Sequence, residues 1–140
     1  MIKTNEFIIL HHSATARDKT TFESIKNYHI ALGWGDIGYN FLITGDGKIH
    51  KGRKISVAGA HCIADKMNYK SIGVCLTGNF QTAEKPSSPQ LASLEILLYI
   101  LEDLYNIPKA KILGHLEVQG SSTVCPGNHL LNWLKEYRNK

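Results

Sequence analysis

The chain has 140 residues, of which 43% are hydrophobic and 20% are charged, and its formal net charge at pH 7 is +4. This length suits one soluble globular domain that buries its own core. The odd count of 3 cysteines argues against a disulfide framework, and the apolar stretches are too short to span a membrane. The basic residues are scattered, so the charge indicates a solvated surface with a mild preference for anionic partners.

The N-terminal residues 1–6 contain no apolar core of the kind that marks a secretory signal peptide. We therefore expect the chain as given to be synthesised in the cytoplasm. Export to a cell wall would then need another route, or a signal that precedes this sequence.

The first part of the chain predicts a strand followed by a helix. Residues 7–10 form an apolar run that stops at His11, which is typical of a short buried strand. Thr20 and Glu23 have the spacing of a capping box, and residues 21–32 then follow a helical pattern.

The middle of the chain predicts strands. Residues 39–44 and 48–51 flank a Gly-Asp-Gly turn, which is typical of an antiparallel hairpin. Residues 71–76 form a further apolar strand, which Gly78 closes.

The last part of the chain predicts two helices around a short strand. Ser88 and Pro89 have the pattern of an N-cap and a first helical residue, and leucines at helical spacing continue to about Tyr105. Residues 112–113 form a short strand, and residues 130–137 are helical. Strands that alternate with helices predict an α/β fold: a single domain, residues 1–140, with a central mixed β-sheet flanked by helices.

Reactive side chains stand where the predicted strands begin or end, namely at His11, Tyr39 and His115. Sites in open sheets collect at such edges. Two imidazoles and the thiol of Cys125 would give zinc three ligands and leave one position open, which is the arrangement of catalytic zinc sites. From the residues alone the question stays open, because single histidines are usually surface or core residues and no HExxH or CxxC signature is present.

Six short segments occur in one order along the chain and together carry a family resemblance. They are Ile9-Leu10-His11-His12-Ser13-Ala14-Thr15, Ile37-Gly38-Tyr39-Asn40-Phe41, Gly59-Ala60-His61, Ser71-Ile72-Gly73-Val74, Gly114-His115 and Cys125-Pro126-Gly127. The chain thereby resembles the type-2 N-acetylmuramoyl-L-alanine amidases, a family that includes phage amidase-type lysozymes and is similar to animal peptidoglycan recognition proteins. The resemblance extends from about residue 6 to residue 127.

The resemblance implies one zinc ion per chain, bound by His11, His115 and Cys125. His12 is the competitor for the first ligand position. In the family pattern, however, the ligand is followed by one small residue and then by Ser-Ala-Thr, and this spacing selects His11. If this segment is a strand, the two side chains point to opposite faces, so only one of them can serve.

The resemblance also implies two catalytic residues. Tyr39 matches the active-site tyrosine, whose phenol can orient the attacking water or donate to the developing oxyanion. Thr123 stands where the phage lysozymes have lysine; its hydroxyl can still donate a hydrogen bond but brings no positive charge. A core role for Tyr39 and a plain loop role for Thr123 are the alternatives.

Four further positions match or neighbour the substrate cleft of the family. His61 and Asn68 are predicted to contact substrate, Ser71 belongs to the same cleft-side segment, and Trp34 is predicted to stack on sugar. Structural roles remain open for His61 and Trp34. Glu117, where relatives usually have Asp, either supports His115 or faces solvent.

The resemblance implies hydrolysis of the amide bond between N-acetylmuramic acid and L-alanine in peptidoglycan, in endolysin-like lysis, in remodelling or in recycling. We expect peptidoglycan or a muropeptide as the partner, a monomer, and neither nucleic acid nor membrane as a partner. The alternatives are a wall-binding module without activity, a cysteine hydrolase that uses Cys125 with His115, and a nucleic-acid-binding protein, for which no basic helix or signature is present.

Overall fold

The computed structural model of the protein describes all 140 residues and contains one five-stranded sheet with the strand order β3-β2-β4-β1-β5. The strands are β1 (Phe7–His12), β2 (Phe41–Ile43), β3 (Ile49–Lys51), β4 (Ser71–Leu76) and β5 (Ile112–Gly114). The helices are α1 (Phe22–Ala31), α2 (Met67–Lys70), α3 (Ser88–Tyr105) and α4 (Asn128–Arg138). None of these helices combines the length and apolar character needed to cross a lipid bilayer.

The sheet is mixed, as the sequence predicted. β1 lies between β4 and β5 and pairs in parallel with both, and β2 pairs in parallel with β4. Only β3, at one edge, is antiparallel to its neighbour β2. The α/β fold with a central mixed sheet in one small domain is therefore confirmed, and the four parallel strands share one carboxyl edge.

The two faces of the sheet are covered differently. Leucines of α3 and α4 pack with Ile8 and Leu10 of β1 in the main core. On the opposite face Ile9 packs with Cys62, Met67 and Val118, in a smaller cluster formed mostly by connecting segments. A third cluster there places α1 against the sheet. The second face is covered more thinly, which leaves room for a cleft.

β1 is longer than predicted and includes both of its terminal histidines. Side chains alternate between the faces of a strand. His11 therefore lies on the face of Ile9, and His12 lies on the face of Leu10, beneath which α3 and α4 pack. Both histidines are buried.

The predicted start of α1 was one residue early. Thr21, and not Thr20, is the N-cap: its hydroxyl accepts the N–H of Ser24 at 3.1 Å, and the Ser24 hydroxyl accepts the N–H of Thr21 at 3.2 Å. The hydroxyl of Thr20 instead donates to the carbonyl of Ala16 at 2.6 Å. A serine at the third helical position can complete a capping box as glutamate does, so the spacing alone allowed two registers.

The predicted start of α3 was also shifted by one residue. Ser87 is the N-cap and forms a capping box with Gln90. Gln90 is fully buried, and its amide donates to the carbonyls of Ile43 at 3.1 Å and Thr77 at 2.9 Å. These two bonds tie the helix to the ends of β2 and β4, and this tertiary contact selects the register.

We expect Gln90→Ala to lower the free energy of unfolding by about 2–4 kcal/mol, because it leaves the carbonyl of Thr77 without a donor, takes one of two donors from the carbonyl of Ile43, and removes the partner of the cap. Urea unfolding of the metal-free protein measures this change. Gln119→Ala, at an exposed position, is the matched control and should leave the midpoint unchanged. Equal midpoints for Gln90→Ala and the control would contradict the role assigned to Gln90.

Candidate metal centre and cleft

The carboxyl edge of the sheet brings the two predicted histidine ligands together. In the pairing of β1 with β5, Leu10 lies opposite Gly114. His11 and His115 are therefore the next residues along these two neighbouring stretches of backbone. Their imidazole rings lie with centroids 4.8 Å apart. The parallel register thus creates a pair of imidazoles from residues that are far apart in sequence.

Cys125 completes the group from a loop that folds back over this edge. The N–H of Leu116 donates to the Cys125 carbonyl at 2.8 Å, and the N–H of His12 points to the Cys125 sulfur at 3.4 Å. The sulfur lies 3.5 Å from Nδ1 of His11. Ligand atoms of His11, His115 and Cys125 all lie within 4.8 Å of one another.

His12 does not join this group. Its Nδ1 accepts the N–H of Phe80 at 3.0 Å on the other face of the sheet. The bond satisfies a buried backbone donor and gives His12 a structural role. Of the two adjacent histidines, the structure therefore directs only His11 into the cluster.

Burial determines the protonation states of the two imidazoles and the thiol in this group. Burial lowers the pKa of His11 well below its ordinary value, with further lowering by His61 and His115, and burial also lowers the pKa of His115. Burial raises the pKa of the Cys125 thiol to about 12. Near neutral pH the imidazoles are thus neutral and free to bind a cation, whereas the thiol keeps its proton until a cation displaces it.

The chemistry of this donor set and the separation of two of its ligand atoms fit zinc. Tetrahedral ligands at ordinary Zn–N and Zn–S bond lengths lie about 3.3–3.7 Å apart. The Sγ–Nδ1 distance of 3.5 Å is in this range. Two imidazoles and one thiolate suit zinc and leave its fourth position to a small molecule.

Tyr39 lies beside the cluster, with its ring centroid 5.1 Å from that of His11. Burial raises the pKa of Tyr39 well above its ordinary value, with the thiols of Cys75 and Cys125 adding to the effect. Thr123 is exposed, and its hydroxyl oxygen accepts the N–H of Cys125 at 3.1 Å, which leaves the hydroxyl proton available to a ligand.

A cleft of about 400 Å³ opens beside His115. Trp34, His61 and Asn68, which were predicted from the sequence to contact substrate, all line it. Asn68 also has a structural task, because its Oδ1 accepts the N–H groups of His61 at 2.8 Å and Cys62 at 2.9 Å. Trp34 is 42% exposed, and its indole lies against the ring of His29.

Arg53 holds the wall of this cleft, and its role was not predicted from the sequence. Its guanidinium donates to four backbone carbonyls at 2.8 to 3.3 Å, those of Trp34, Asp36, Ile37 and Ala58. The bonds join the segment before Tyr39 to the segment that leads to His61. No sequence signal could have found this role, since every partner is a backbone group.

The partly buried carboxylate of Glu117 hydrogen-bonds Arg138 and the backbone rather than the imidazole of His115. Arg138 binds its carboxylate through two nitrogens at 2.8 and 3.0 Å, and the N–H of Gly114 donates to it at 2.9 Å. Burial would raise the pKa of Glu117, but these donors outweigh it and lower the pKa. Glu117 thus supports the turn that carries His115 by fixing its backbone.

Comparison with known proteins is consistent with this geometry. The family described as N-acetylmuramoyl-L-alanine amidase matches residues 3–128. The chain belongs to this amidase family. The resemblance inferred from the sequence motifs is therefore confirmed.

The relatives of this amidase-family chain include both enzymes and recognition proteins. A peptidoglycan-recognition protein of Drosophila melanogaster is 36% identical over 138 residues, which cover 94% of this chain and 74% of the relative. The structure of N-acetylmuramoyl-L-alanine amidase LysC from Clostridium intestinale matches with a TM-score of 0.84 and 32% identity, over 98% of this chain and 87% of the other. A Drosophila PGRP-LB mutant in complex with tracheal cytotoxin matches with a TM-score of 0.79 and 32% identity, over 98% and 86%.

Zinc binding should release about one proton near neutral pH, from the thiol of Cys125, because the histidines are already neutral. The sign follows from the raised pKa of about 12: zinc affinity should rise about tenfold per pH unit through the neutral range. Calorimetry in buffers of different ionisation enthalpy measures the released protons. Affinity independent of pH would contradict this account. Cys125→Ser should remove both the zinc binding and the proton release, whereas Cys62→Ser should keep both.

Proposed function

We propose that this protein is a zinc-dependent N-acetylmuramoyl-L-alanine amidase, with residues 1–140 as a single catalytic domain. It hydrolyses the amide bond between the lactyl group of N-acetylmuramic acid and L-alanine in peptidoglycan or soluble muropeptides. The observation that carries the proposal is the convergence of His11, His115 and Cys125 within 4.8 Å, beside an open cleft. Family membership and the amidase among the structural neighbours support it.

His11, His115 and Cys125 would hold one Zn²⁺ per chain. The ion would supply a Lewis acid for the substrate carbonyl and lower the pKa of the attacking water. Hydrolysis adds the hydroxyl of water to the lactyl carbonyl carbon, breaks the C–N bond, and transfers a proton to the nitrogen of L-alanine.

The side chains around the cluster would assist through hydrogen bonds and contact with substrate. Tyr39 donates from its phenol, which stays protonated near neutral pH, to the oxygen that becomes negative in the transition state. Thr123 donates a second, neutral hydrogen bond. His61, Asn68 and Trp34 line the space for the muramoyl peptide.

The structure favours a metal ligand over a nucleophile at Cys125. Reactive cysteines have lowered pKa values and stand in electropositive surroundings. Burial instead raises the pKa of the Cys125 thiol, and the neighbouring imidazoles are neutral. A thiol in this setting becomes a thiolate when it binds a cation.

The decisive experiment digests purified peptidoglycan and follows the products by mass spectrometry. We expect stem peptides with a free L-alanine amine, their loss with a zinc chelator, and their recovery when zinc is restored. Cys125→Ser should abolish activity through loss of the metal. Cys62→Ser changes a buried cysteine that lines the cleft but lies outside the cluster, and this matched control should keep its zinc.

Two results would replace the proposal. Binding of peptidoglycan without cleavage, with zinc loaded, would indicate a recognition module. Inhibition by an alkylating agent together with full activity in chelator would indicate a cysteine hydrolase. Parallel digests of intact wall and of soluble muropeptides would separate a lytic or remodelling role from recycling.

Tyr39→Phe should lower kcat by about 10²-fold, because it removes one donor to the oxyanion. KM and zinc content should stay near wild type, since the ring and the metal ligands remain. Tyr28→Phe, at a position 61% exposed, is the control and should leave kcat unchanged. A Tyr39→Phe variant with the kcat of wild type would show that the phenol does not take part.

A further inference from the structure

His61 makes a contact with the metal cluster that its position in the cleft does not explain. Its Nδ1 lies 2.9 Å from Nε2 of His11, and the two rings meet edge to face. The other nitrogen of His61, Nε2, lies 3.4 Å from the hydroxyl of Ser71. That hydroxyl in turn donates to the carbonyl of Met67 at 2.7 Å. These groups form a chain of hydrogen bonds that ends at His11.

The position of each proton in this chain follows from its buried end. The carbonyl of Met67 can only accept, so Ser71 uses its single proton there. Ser71 can then only accept from His61, which places the proton of His61 on Nε2. None of the partners of His61 carries a negative charge, so a buried imidazole there is favoured in its neutral form, with Nδ1 as an acceptor.

The proton position on His61 determines the proton position on His11, the candidate ligand. Because Nδ1 of His61 accepts, Nε2 of His11 must carry the proton. The lone pair of His11 is then on Nδ1, the atom that lies 3.5 Å from the Cys125 sulfur. The series of hydrogen bonds from Met67 to His11 therefore determines which nitrogen of His11 faces the cluster.

The ring of His61 is also fixed in place by backbone. A Cβ added at Gly73 would lie 2.6 to 2.8 Å from three of its ring atoms, and one added at Gly59 would lie 2.6 Å from its nearest ring atom. The N–H of His61 donates to Asn68. The ring thus occupies a slot that only glycines leave open, and it cannot turn away from His11 without moving the strand.

We propose that His61, oriented by Ser71, is a positioning residue for the metal site: it holds His11 in the tautomer whose Nδ1 binds the ion. Residues that accept the second ring proton of a metal-bound histidine orient the ligand and raise its affinity for the metal. Here a neutral imidazole takes the place that a carboxylate often has. The inference rests on the proposed zinc site but concerns the order of protons in the metal-free protein.

Two measurements test it separately from activity. Nitrogen–proton NMR of the metal-free wild-type protein should show His11 protonated on Nε2 and His61 protonated on Nε2. His61→Leu should weaken zinc binding by about 10- to 100-fold, measured by competition with a chelating dye. His61→Asn, which can keep an amide oxygen near Nε2 of His11, should recover part of that loss. His129→Asn, on a histidine whose ring hydrogen-bonds the carbonyl of Thr82 outside the cluster, is the control.

The outcomes are distinguishable. His11 protonated on Nδ1 in wild type, or unchanged zinc affinity in His61→Leu with a raised KM, would overturn the proposal and leave His61 as a substrate contact. Should the leucine variant not fold, Ser71→Ala and the wild-type spectrum carry the test; Ser71→Ala should give mixed tautomers at His61. A wild-type protein with the expected tautomers that binds no zinc would refute the proposed function and leave the proton order standing.

Discussion

The parallel pairing of β1 with β4 and β5 is the constraint on which the candidate site depends. Parallel strands end at the same edge, so the first residues beyond paired positions become neighbours however distant they are in sequence. The pairing of Leu10 with Gly114 thereby places His11 beside His115. The alternation of side chains then directs His11 into the thinly covered face and His12 into the core. The register of β1 thus determines which of the two histidines joins the cluster and which face of the sheet it lies on.

The site gains its chemistry from burial and its shape from hydrogen bonds to backbone. Several imidazoles stay neutral because no solvent compensates a charge there, and this keeps their lone pairs available. The cleft walls are irregular segments, which secondary structure does not hold. Arg53, Asn68 and Glu117 hold them instead by binding backbone groups on either side of the cleft. Polar residues close to the candidate metal site thus hold the backbone around it in place, as preorganised sites require.

The fold class could be predicted because hydrophobic periodicity and turn residues are local signals. The central strands and the three longer helices were found, and the mixed sheet followed from their alternation. Element boundaries were less well predicted, because neighbouring polar residues offered alternative caps. Gln90 shows why: its bonds to Ile43 and Thr77 choose the helix start, and no local pattern contains them. The brief helix α2 left no signal, since four residues are too few for periodicity.

By itself, the sequence determined the family, the fold class and the identity of the residues that meet at the cluster, because six motifs in fixed order constrain them together. The alternation of side chains along a strand also predicted that His11 and His12 point to opposite faces, but it did not predict which face each of them occupies. Only the tertiary structure decided that direction, the proton order that joins Ser71, His61 and His11, and the part played by Arg53. These features depend on contacts between residues that are distant in sequence. They also depend on backbone N–H and carbonyl groups, which nearly every residue carries and which therefore leave no signal in the sequence.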